Sequence, residues 1–222
     1  MNNNEIILAD FEVLSDQYSV RNWWNDIGGV DPDIIQMSAI KVSLADKNLK
    51  VVEEFSALVL PRDSEHHIAF LTDHIQKLTG ITQACMRSEG VELQEAVNSF
   101  KNFIQNSIVY NYSRTFDFTV LTMSMVRQNL TEQLFDRKQF KDIRPVFIKG
   151  GVPAALMPQN CQTGDVEKRY ETVNSGRIAG YLGTSSPATY QEHDGLYDAR
   201  SVLFGLRKLL AENKIMLSDL QN

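Results

Sequence analysis

The stretch Ile6-Ile7-Leu8-Ala9-Asp10-Phe11-Glu12 joins a short apolar run to two acidic residues. A continuous apolar run of this length is typical of a strand buried in the centre of a sheet. Because side chains alternate along a strand, we expect Asp10 and Glu12 to lie on the same side of the sheet. Two carboxylates there repel each other unless a cation lies between them, and hard divalent cations prefer oxygen ligands. Taken alone, the pair is more typical of two solvated acids at a strand end.

The segments that follow this strand predict an α/β fold. Strands are predicted at residues 34–42, 51–60, 108–110 and 143–148, from β-rich or short apolar runs. Helices are predicted at residues 68–78, 92–105 and 118–130, and from Leu196 onwards. In the segment at 92–105 and in the last helix, apolar residues recur at helical spacing. Strands first, and then strands alternating with helices, indicate a mixed sheet with helices on its faces. Since no linker divides the sequence, we expect a single domain over residues 1–222.

The composition is that of an ordinary globular protein. Hydrophobic residues make up 43% and charged residues 23% of the chain. No apolar run approaches the roughly 18 residues that suggest a membrane span, so no membrane partner is expected. The N-terminus lacks the positive flank of a signal peptide, and Cys85 and Cys161 match no metal spacing. These features favour free thiols in a reducing, cytoplasmic location.

The charge balance limits how the protein can bind nucleic acid. With 28 acidic and 22 basic residues, the formal net charge is −6. Tight non-specific binding to nucleic acid needs many Lys and Arg side chains on phosphates. An enzyme that holds only a few nucleotides is not excluded, because bound cations reverse the local charge of an acidic site.

Two later segments also carry acids at the ends of predicted elements. Phe116-Asp117-Phe118 follows the strand at 108–110, where an acid is either a helix N-cap or a site residue. In His193-Asp194-Gly195-Leu196-Tyr197-Asp198, the last acid falls in the first turn of a helix. Helical spacing places Asp198 on the core side with Val202, where a carboxylate needs a partner. His193 lies in the loop just before this helix.

Taken in order, these patterns resemble the DEDDh 3′–5′ exonucleases. The patterns are D-x-E on the first strand, F-D after a later strand and H-x-x-x-x-D at the start of the last helix. The family includes ribonuclease T, oligoribonuclease and the proofreading subunits of bacterial replicative polymerases. Three other segments are similar to the family: Ile34-Ile35-Gln36-Met37-Ser38-Ala39-Ile40, Leu78-Thr79-Gly80-Ile81-Thr82 and Asp198-Ala199-Arg200. The resemblance spans residues 5–212.

The resemblance implies a ribonuclease H-like fold, which is a five-stranded mixed sheet with helices on both faces. It implies that Asp10, Glu12, Asp117 and Asp198 hold two Mg²⁺ ions, for which Mn²⁺ can substitute. Two cations about 3.5–4 Å apart stabilise both the attacking and the leaving oxygen of an in-line displacement. His193 is implied as the general base, because histidine titrates near neutral pH. These five are the expected catalytic residues.

Further residues are expected at the substrate. By the same resemblance these are Phe11, Val13, Leu78, Thr79, Asn111 and Phe116. Phe11, Val13 or Leu78 is expected beneath the last base, and Asn111 is expected to hold the chain nearby. In the loop at 15–33, Trp23 and Trp24 are either core aromatics or base-stacking residues. Two adjacent side chains rarely face the same way, so at most one of them is expected to stack.

The sequence determines least well whether the natural substrate is DNA or RNA. Ser113-Arg114-Thr115-Phe116-Asp117-Phe118, with Lys141-Asp142-Ile143-Arg144 downstream, is similar to a phage 3′–5′ DNA exonuclease, exonuclease A. We therefore expect hydrolysis of single-stranded DNA from a free 3′-hydroxyl, with release of mononucleotides. One alternative is an exoribonuclease of the ribonuclease T or oligoribonuclease type, and another is a non-catalytic nucleic-acid-binding module. No motif indicates a homodimer or an association with a polymerase.

Overall fold

A five-stranded mixed sheet forms the centre of the protein. The computed structural model describes residues 4–15, 30–158, 172–184 and 193–221. The strands of the sheet are β1 Glu5–Val13, β2 Ile34–Ser43, β3 Val51–Leu58, β4 Ile108–Asn111 and β5 Phe140–Asp142. The strand order is β3-β2-β1-β4-β5. The pairs β1–β2 and β2–β3 are antiparallel, whereas β1–β4 and β4–β5 are parallel. The predicted fold class is confirmed.

Helices pack on both faces of this sheet. They are α1 Asp73–Thr79, α2 Gln83–Glu89, α3 Leu93–Ile104, α4 Arg114–Arg127, α5 Arg144–Lys149, α6 Ile178–Tyr181 and α7 Gly195–Ala211. One core cluster joins the sheet to α5 and α7, and a second joins the opposite face to α3 and α4. A third, smaller cluster lies under α1 and α2. Among the described residues, no helix is both long and apolar enough to cross a membrane.

The central strand β1 divides its side chains between the two faces. Ile6 and Leu8 belong to the cluster under α7, whereas Ile7 and Ala9 belong to the cluster under α3 and α4. Full burial of an Ile or Leu side chain stabilises a fold by about 1.5–3 kcal/mol, so this strand anchors the whole sheet. The parallel pairing of β1 with β4 ends at Ala9. Asp10 therefore lies at the carboxyl edge of the parallel strands, where open α/β sheets bind ligands.

The predicted strand at 143–148 is wrong. The strand is the shorter segment Phe140–Asp142, which pairs with β4, and α5 begins at Arg144. Pro145 lies in the first turn of α5, where its missing N–H costs no hydrogen bond and its fixed φ favours a helix. A short apolar run does not distinguish a strand from a helix, and here pairing with β4 decided between them.

Helix boundaries differ from the predicted ones at two places. The predicted helix at 68–78 begins only at Asp73, because the Thr72 hydroxyl accepts a hydrogen bond from the Ile75 N–H and caps the helix there. The predicted helix at 118–130 begins at Arg114 instead, so Asp117 lies inside its first turn. Helix α2 was not predicted. Trp23, Trp24 and Cys161 lie outside the described residues.

Candidate active site

Asp10 and Glu12 lie near the end of β1 and continue the face of the strand that carries Ile6 and Leu8. This face packs against α7. Glu12 is buried and pairs in register with Gln36 of β2. The predicted alternation therefore turns both carboxylates toward the start of α7.

The start of α7 brings a third carboxylate to this place. Asp194 is the N-cap, and its carboxylate accepts hydrogen bonds from the backbone N–H groups of Leu196 (3.0 Å) and Tyr197 (3.1 Å). Asp198, one turn into the helix, is 2% exposed. A carboxylate buried to this extent requires compensating partners.

Gly195 allows α7 to approach the sheet closely. A Cβ atom at this position would lie 2.9 Å from both Cβ and Oγ of Ser38 and 3.1 Å from the Asp10 carbonyl oxygen. The Gly195 N–H donates to Oε1 of Gln36 at 3.0 Å, which attaches the helix start to β2. Any larger residue would push the helix, and with it Asp198, away from β1.

Gly195→Ala is expected to lower both stability and activity. Overpacking of a buried site costs about 1–3 kcal/mol, and displacement of a reacting group by about 1 Å can cost about 10²-fold in rate. Gly180→Ala is the matched control, because a Cβ atom at this helical position meets nothing within 4 Å. Chemical denaturation and hydrolysis rates should be measured for both variants. Equal behaviour of the two would show that the close approach at Gly195 is unimportant.

His193 faces the same carboxylates. One ring nitrogen of His193 and one carboxylate oxygen each of Glu12 and Asp198 lie within 4.8 Å of one another. The residue has a left-handed backbone conformation, with φ of 68°, and its N–H donates to Oδ1 of Asp198 at 3.3 Å. The imidazole therefore lies where it can exchange a proton with a molecule bound between the acids.

Asp117 approaches the site from α4, which packs on the face of the sheet opposite α7. It is buried in the first turn of α4, and the N-cap of that helix is Ser113, so Asp117 is not the cap. The Asn111 side chain donates to the Ala9 carbonyl oxygen at 3.1 Å and lies beside the Asp117 carboxyl, whose pKa it lowers. Asn111 thus ties the end of β4 to β1 and to the acid.

Burial and mutual repulsion raise the pKa values of these acids. Burial holds the pKa of Asp10 and of Glu12 well above the ordinary carboxyl range, and the charges of neighbouring acids raise both further. The chief neighbour of Asp10 is Asp117, and the chief neighbour of Glu12 is Asp10. Burial likewise raises the pKa of Asp117 to about 8. Carboxyls that are this close and this desolvated hold protons unless cations compensate their charge.

Arg144 and Asp142 form an ion pair beside Asp117. The Arg144 backbone N–H and side-chain Nε donate to Asp142 Oδ1 at 2.9 and 3.0 Å, and another guanidinium nitrogen donates to the Pro158 carbonyl oxygen. The guanidinium charge lowers the pKa of Asp117, whereas Asp142 raises it. Because these opposing effects offset each other, the pair does not replace a cation among the acids.

Similarity to solved structures is clear in fold and low in sequence. No family model and no curated protein matches the sequence. The nuclease domain of 3′hExo, a DEDDh family member bound to rAMP, matches with a TM-score of 0.64 over 94% of this chain and 92% of that one, at 14% identity. The chain has the fold of the DEDDh exonucleases. A 3′-exonuclease that recognises the histone mRNA stem-loop matches with a TM-score of 0.65 over 94% of this chain and 82% of that one, at 14% identity.

A DNA-bound enzyme shares the DEDDh fold as well. E. coli exonuclease I in complex with a dT13 oligonucleotide has a TM-score of 0.57 and 14% identity. The match covers 95% of this chain but only 40% of exonuclease I. The chain therefore spans less than half of that enzyme.

Four of the six predicted substrate residues have buried side chains in this DEDDh fold. Phe11 and Val13 are 4% and 6% exposed, because the alternation that turns Asp10 and Glu12 toward α7 turns these two toward α3 and α4. A position beneath the last base does not fit this burial. The Phe11 ring instead packs edge-to-face on Phe100, with 5.6 Å between ring centroids.

The other predicted substrate residues divide into two groups. Asn111 is fully buried, and the Thr79 hydroxyl donates to the Ile75 carbonyl oxygen at 2.9 Å, so both side chains support the fold. Leu78 and Phe116 are partly exposed at the borders of core clusters. Contact with the terminal nucleotide stays a prediction for Leu78 and Phe116.

Sequence reasoning missed two residues that contact the acids and the start of α7. The Ser175 hydroxyl donates to Oδ2 of Asp198 at 3.0 Å and lies beside the Asp10 carboxyl. Gln36 is buried beside Glu12 and accepts from Gly195. Gln36 lies in the segment at 34–40 that is similar to the family, but that similarity assigns it no role, and a single Ser in a polar segment carries no pattern. A sequence signal for Ser175 is absent even in retrospect.

Proposed function

We propose that the protein is a metal-dependent 3′–5′ exonuclease that hydrolyses phosphodiester bonds in nucleic acid. The observation that carries the proposal is the convergence of Asp10, Glu12, Asp117 and Asp198, together with His193, at the carboxyl edge of the parallel strands. A non-catalytic binding module has no need of such an acid cluster, which costs stability through desolvation and repulsion.

The donor set fits hard divalent cations. Carboxylate oxygens are the ligands that Mg²⁺ prefers, and Mn²⁺ accepts the same ligands. The raised pKa values of Asp10, Glu12 and Asp117 support this assignment, because bound cations would compensate the charge of these acids. The proposal assigns two ions to Asp10, Glu12, Asp117 and Asp198. When bound, the ions would activate water and stabilise the charge that develops on the phosphate oxygens.

The protein's own groups supply the remaining steps of hydrolysis. His193, which lies beside Glu12 and Asp198, accepts the proton of the attacking water. The Asp194 cap and the Gln36–Gly195 hydrogen bond fix the start of α7, so that Asp198 stays opposite β1. Since an acid cluster repels the anionic substrate, hydrolysis depends on the cations as well as on these residues.

The proposed substrate is single-stranded DNA with a free 3′-hydroxyl, from which mononucleotides are released. Single strands are favoured because a paired terminus must first be unstacked and unpaired, at a cost of a few kcal/mol. The choice of DNA rests on the similarity of residues 113–118 and 141–144 to a phage DNA exonuclease. An exoribonuclease is the second candidate, since two neighbours in fold were solved with an RNA stem-loop and with rAMP.

Hydrolysis of end-labelled oligonucleotides tests this function. Linear DNA and RNA with a 3′-hydroxyl, DNA with a 3′-phosphate and circular single-stranded DNA should be incubated with Mg²⁺, Mn²⁺, Ca²⁺ or excess chelator. We expect mononucleotides from the 3′-hydroxyl substrates with Mg²⁺ or Mn²⁺, with DNA degraded at least as fast as RNA. The 3′-phosphate and circular substrates should resist, and Ca²⁺ should bind without supporting turnover.

The outcomes separate the alternatives. Full activity in chelator would remove the metal-dependent mechanism, and rapid cutting of the circle would show an endonuclease. Faster degradation of RNA would favour the exoribonuclease, since discrimination between the polymers depends on contacts to the 2′-hydroxyl. The Asp10→Ala protein, purified in parallel, controls for a contaminating nuclease.

A further inference from the structure

We propose that Ser175 is a positioning residue that orients the carboxylates of Asp10 and Asp198 for cation binding. Ser175 begins a 3₁₀ turn, Ser175–Arg177, and is separate from the elements that carry the acids. The inference rests on the proposed function, because it concerns the same cation site.

The Ser175 hydroxyl lies between acids that come from different elements. It donates to Oδ2 of Asp198 on α7 at 3.0 Å, and it lies beside the Asp10 carboxyl on β1. A hydroxyl has one hydrogen and two acceptor lone pairs, so it can donate fully to only one charged carboxylate at a time. Ser175 therefore links the relative positions of Asp10 and Asp198.

The two oxygens of Asp198 have different donors. Oδ2 accepts from the Ser175 hydroxyl at 3.0 Å, and Oδ1 accepts from the His193 backbone N–H at 3.3 Å. A carboxylate offers about four lone-pair positions, so both oxygens retain capacity for a cation. Because the two donors approach opposite oxygens, they fix the rotation of the carboxylate plane. Loss of the Ser175 donor would allow that plane to rotate.

The turn that carries Ser175 is held firmly by the fold. The Asn174 side chain accepts from the Arg177 N–H at 3.0 Å, which caps the turn. The Val173 N–H donates to the Leu156 carbonyl oxygen at 2.8 Å, and the buried Tyr112 hydroxyl donates to the Val173 carbonyl oxygen at 2.8 Å. The backbone that carries Ser175 is thus positioned by contacts that do not involve the acids.

Ser201 supplies a matched control in the same interface. Its hydroxyl accepts from the Ala179 N–H at 3.2 Å and so joins α6, which follows the Ser175 turn, to α7. Ser201 is fully buried, and its hydrogen-bond partner is a backbone amide. Removal of this hydroxyl tests the packing of the two segments without removing a carboxylate donor.

The experiment compares Ser175→Ala, Ser175→Thr and Ser201→Ala with the parent protein. Calorimetric titration with Mg²⁺ alone, on protein without substrate, gives the cation Kd, and the Mg²⁺ dependence of Tm gives a second measure. We expect Ser175→Ala to raise the Kd by about 10–100-fold, which is the usual cost of losing a group that orients a ligand. Ser175→Thr should restore the parent Kd, since it keeps the hydroxyl. Ser201→Ala should lower Tm and leave the Kd unchanged.

Kinetics separate positioning from a general structural effect. If Ser175 positions the acids, the rate of hydrolysis by the Ser175→Ala variant should fall mainly at limiting Mg²⁺ and recover in part at high Mg²⁺. Ser175→Cys, of similar shape but with a weak donor, should show the same shift and replaces Ser175→Ala should the latter not fold. An unchanged Kd in these variants, or an equal loss in Ser201→Ala, would overturn the proposal. Failure of the parent itself to bind Mg²⁺ or to hydrolyse nucleic acid would instead overturn the proposed function.

Discussion

Replacement of any one of the four acids by Ala is expected to abolish hydrolysis while the fold stays intact. The four variants are Asp10→Ala, Glu12→Ala, Asp117→Ala and Asp198→Ala. Each carboxylate is a proposed cation ligand, and the cations act on both oxygens of the displacement, so no remaining group can replace the loss. Glu132→Ala, which removes an exposed acid outside the site, should retain parent activity. Hydrolysis of labelled DNA at saturating Mg²⁺ measures the effect.

The same variants should be no less stable than the parent in the absence of metal. The folded-state pKa of Asp117 is raised to about 8, so the folded protein binds more protons than the unfolded chain between the ordinary Asp value and pH 8. Stability therefore falls as pH rises through this window. Asp117→Ala should flatten that slope and raise Tm at neutral pH.

Thermal denaturation in chelator, from pH 5 to pH 8, checks this expectation. A variant that keeps near-parent activity would remove its residue from the cation site. A metal-free variant that melts far below the metal-free parent would show that the acid supports the fold rather than destabilising it.

His193→Ala is expected to lower kcat by about 10²–10⁴-fold, which is the usual contribution of one general base. The affinity for Mg²⁺ should change little, because Mg²⁺ prefers the oxygen ligands that remain. His67→Ala provides the control, since that imidazole is 73% exposed and pairs only weakly with nearby acids. Single-turnover rates at saturating Mg²⁺, together with a Mg²⁺ titration, measure both quantities.

The position of His193 would also allow it to act as a metal ligand, and this alternative can be distinguished from its role as a base. One of its ring nitrogens lies within 4.8 Å of ligand oxygens of Glu12 and Asp198, a distance that also suits a metal ligand. A large loss of Mg²⁺ affinity with little change in kcat at saturating metal would therefore reassign His193 from base to ligand.

Local periodicity was sufficient to predict the elements that carry three of the acids. The apolar run at 6–9 identified the central strand, and the alternation of a strand placed Asp10 and Glu12 on one face. The helical period similarly placed Asp198 on the buried side of α7 with Val202. These inferences needed only repeats of two and 3.6 residues, which are properties of the backbone and so are visible in any single sequence.

Two expectations differ from the structure, one because an apolar run was too short to show its period and the other because it rested on the resemblance alone. The run at 143–148 is too short to distinguish strand from helix, and α5 forms there because Pro145 favours a helix start after β5. Phe11 and Val13 were expected at the substrate, although the alternation that was used for Asp10 and Glu12 already turns them to the other face.

The sequence by itself determined the chemical types of the site and the elements that carry most of them. Only the tertiary structure decided which groups meet and which of them orient the acids. The Gln36–Gly195 hydrogen bond joins residues that are 159 positions apart, and Ser175 contacts Asp198 from a separate turn. Such contacts depend on close packing between α7 and the sheet, which Gly195 permits. No local repeat encodes this packing, because it arises from side chains that become neighbours only when the chain is folded.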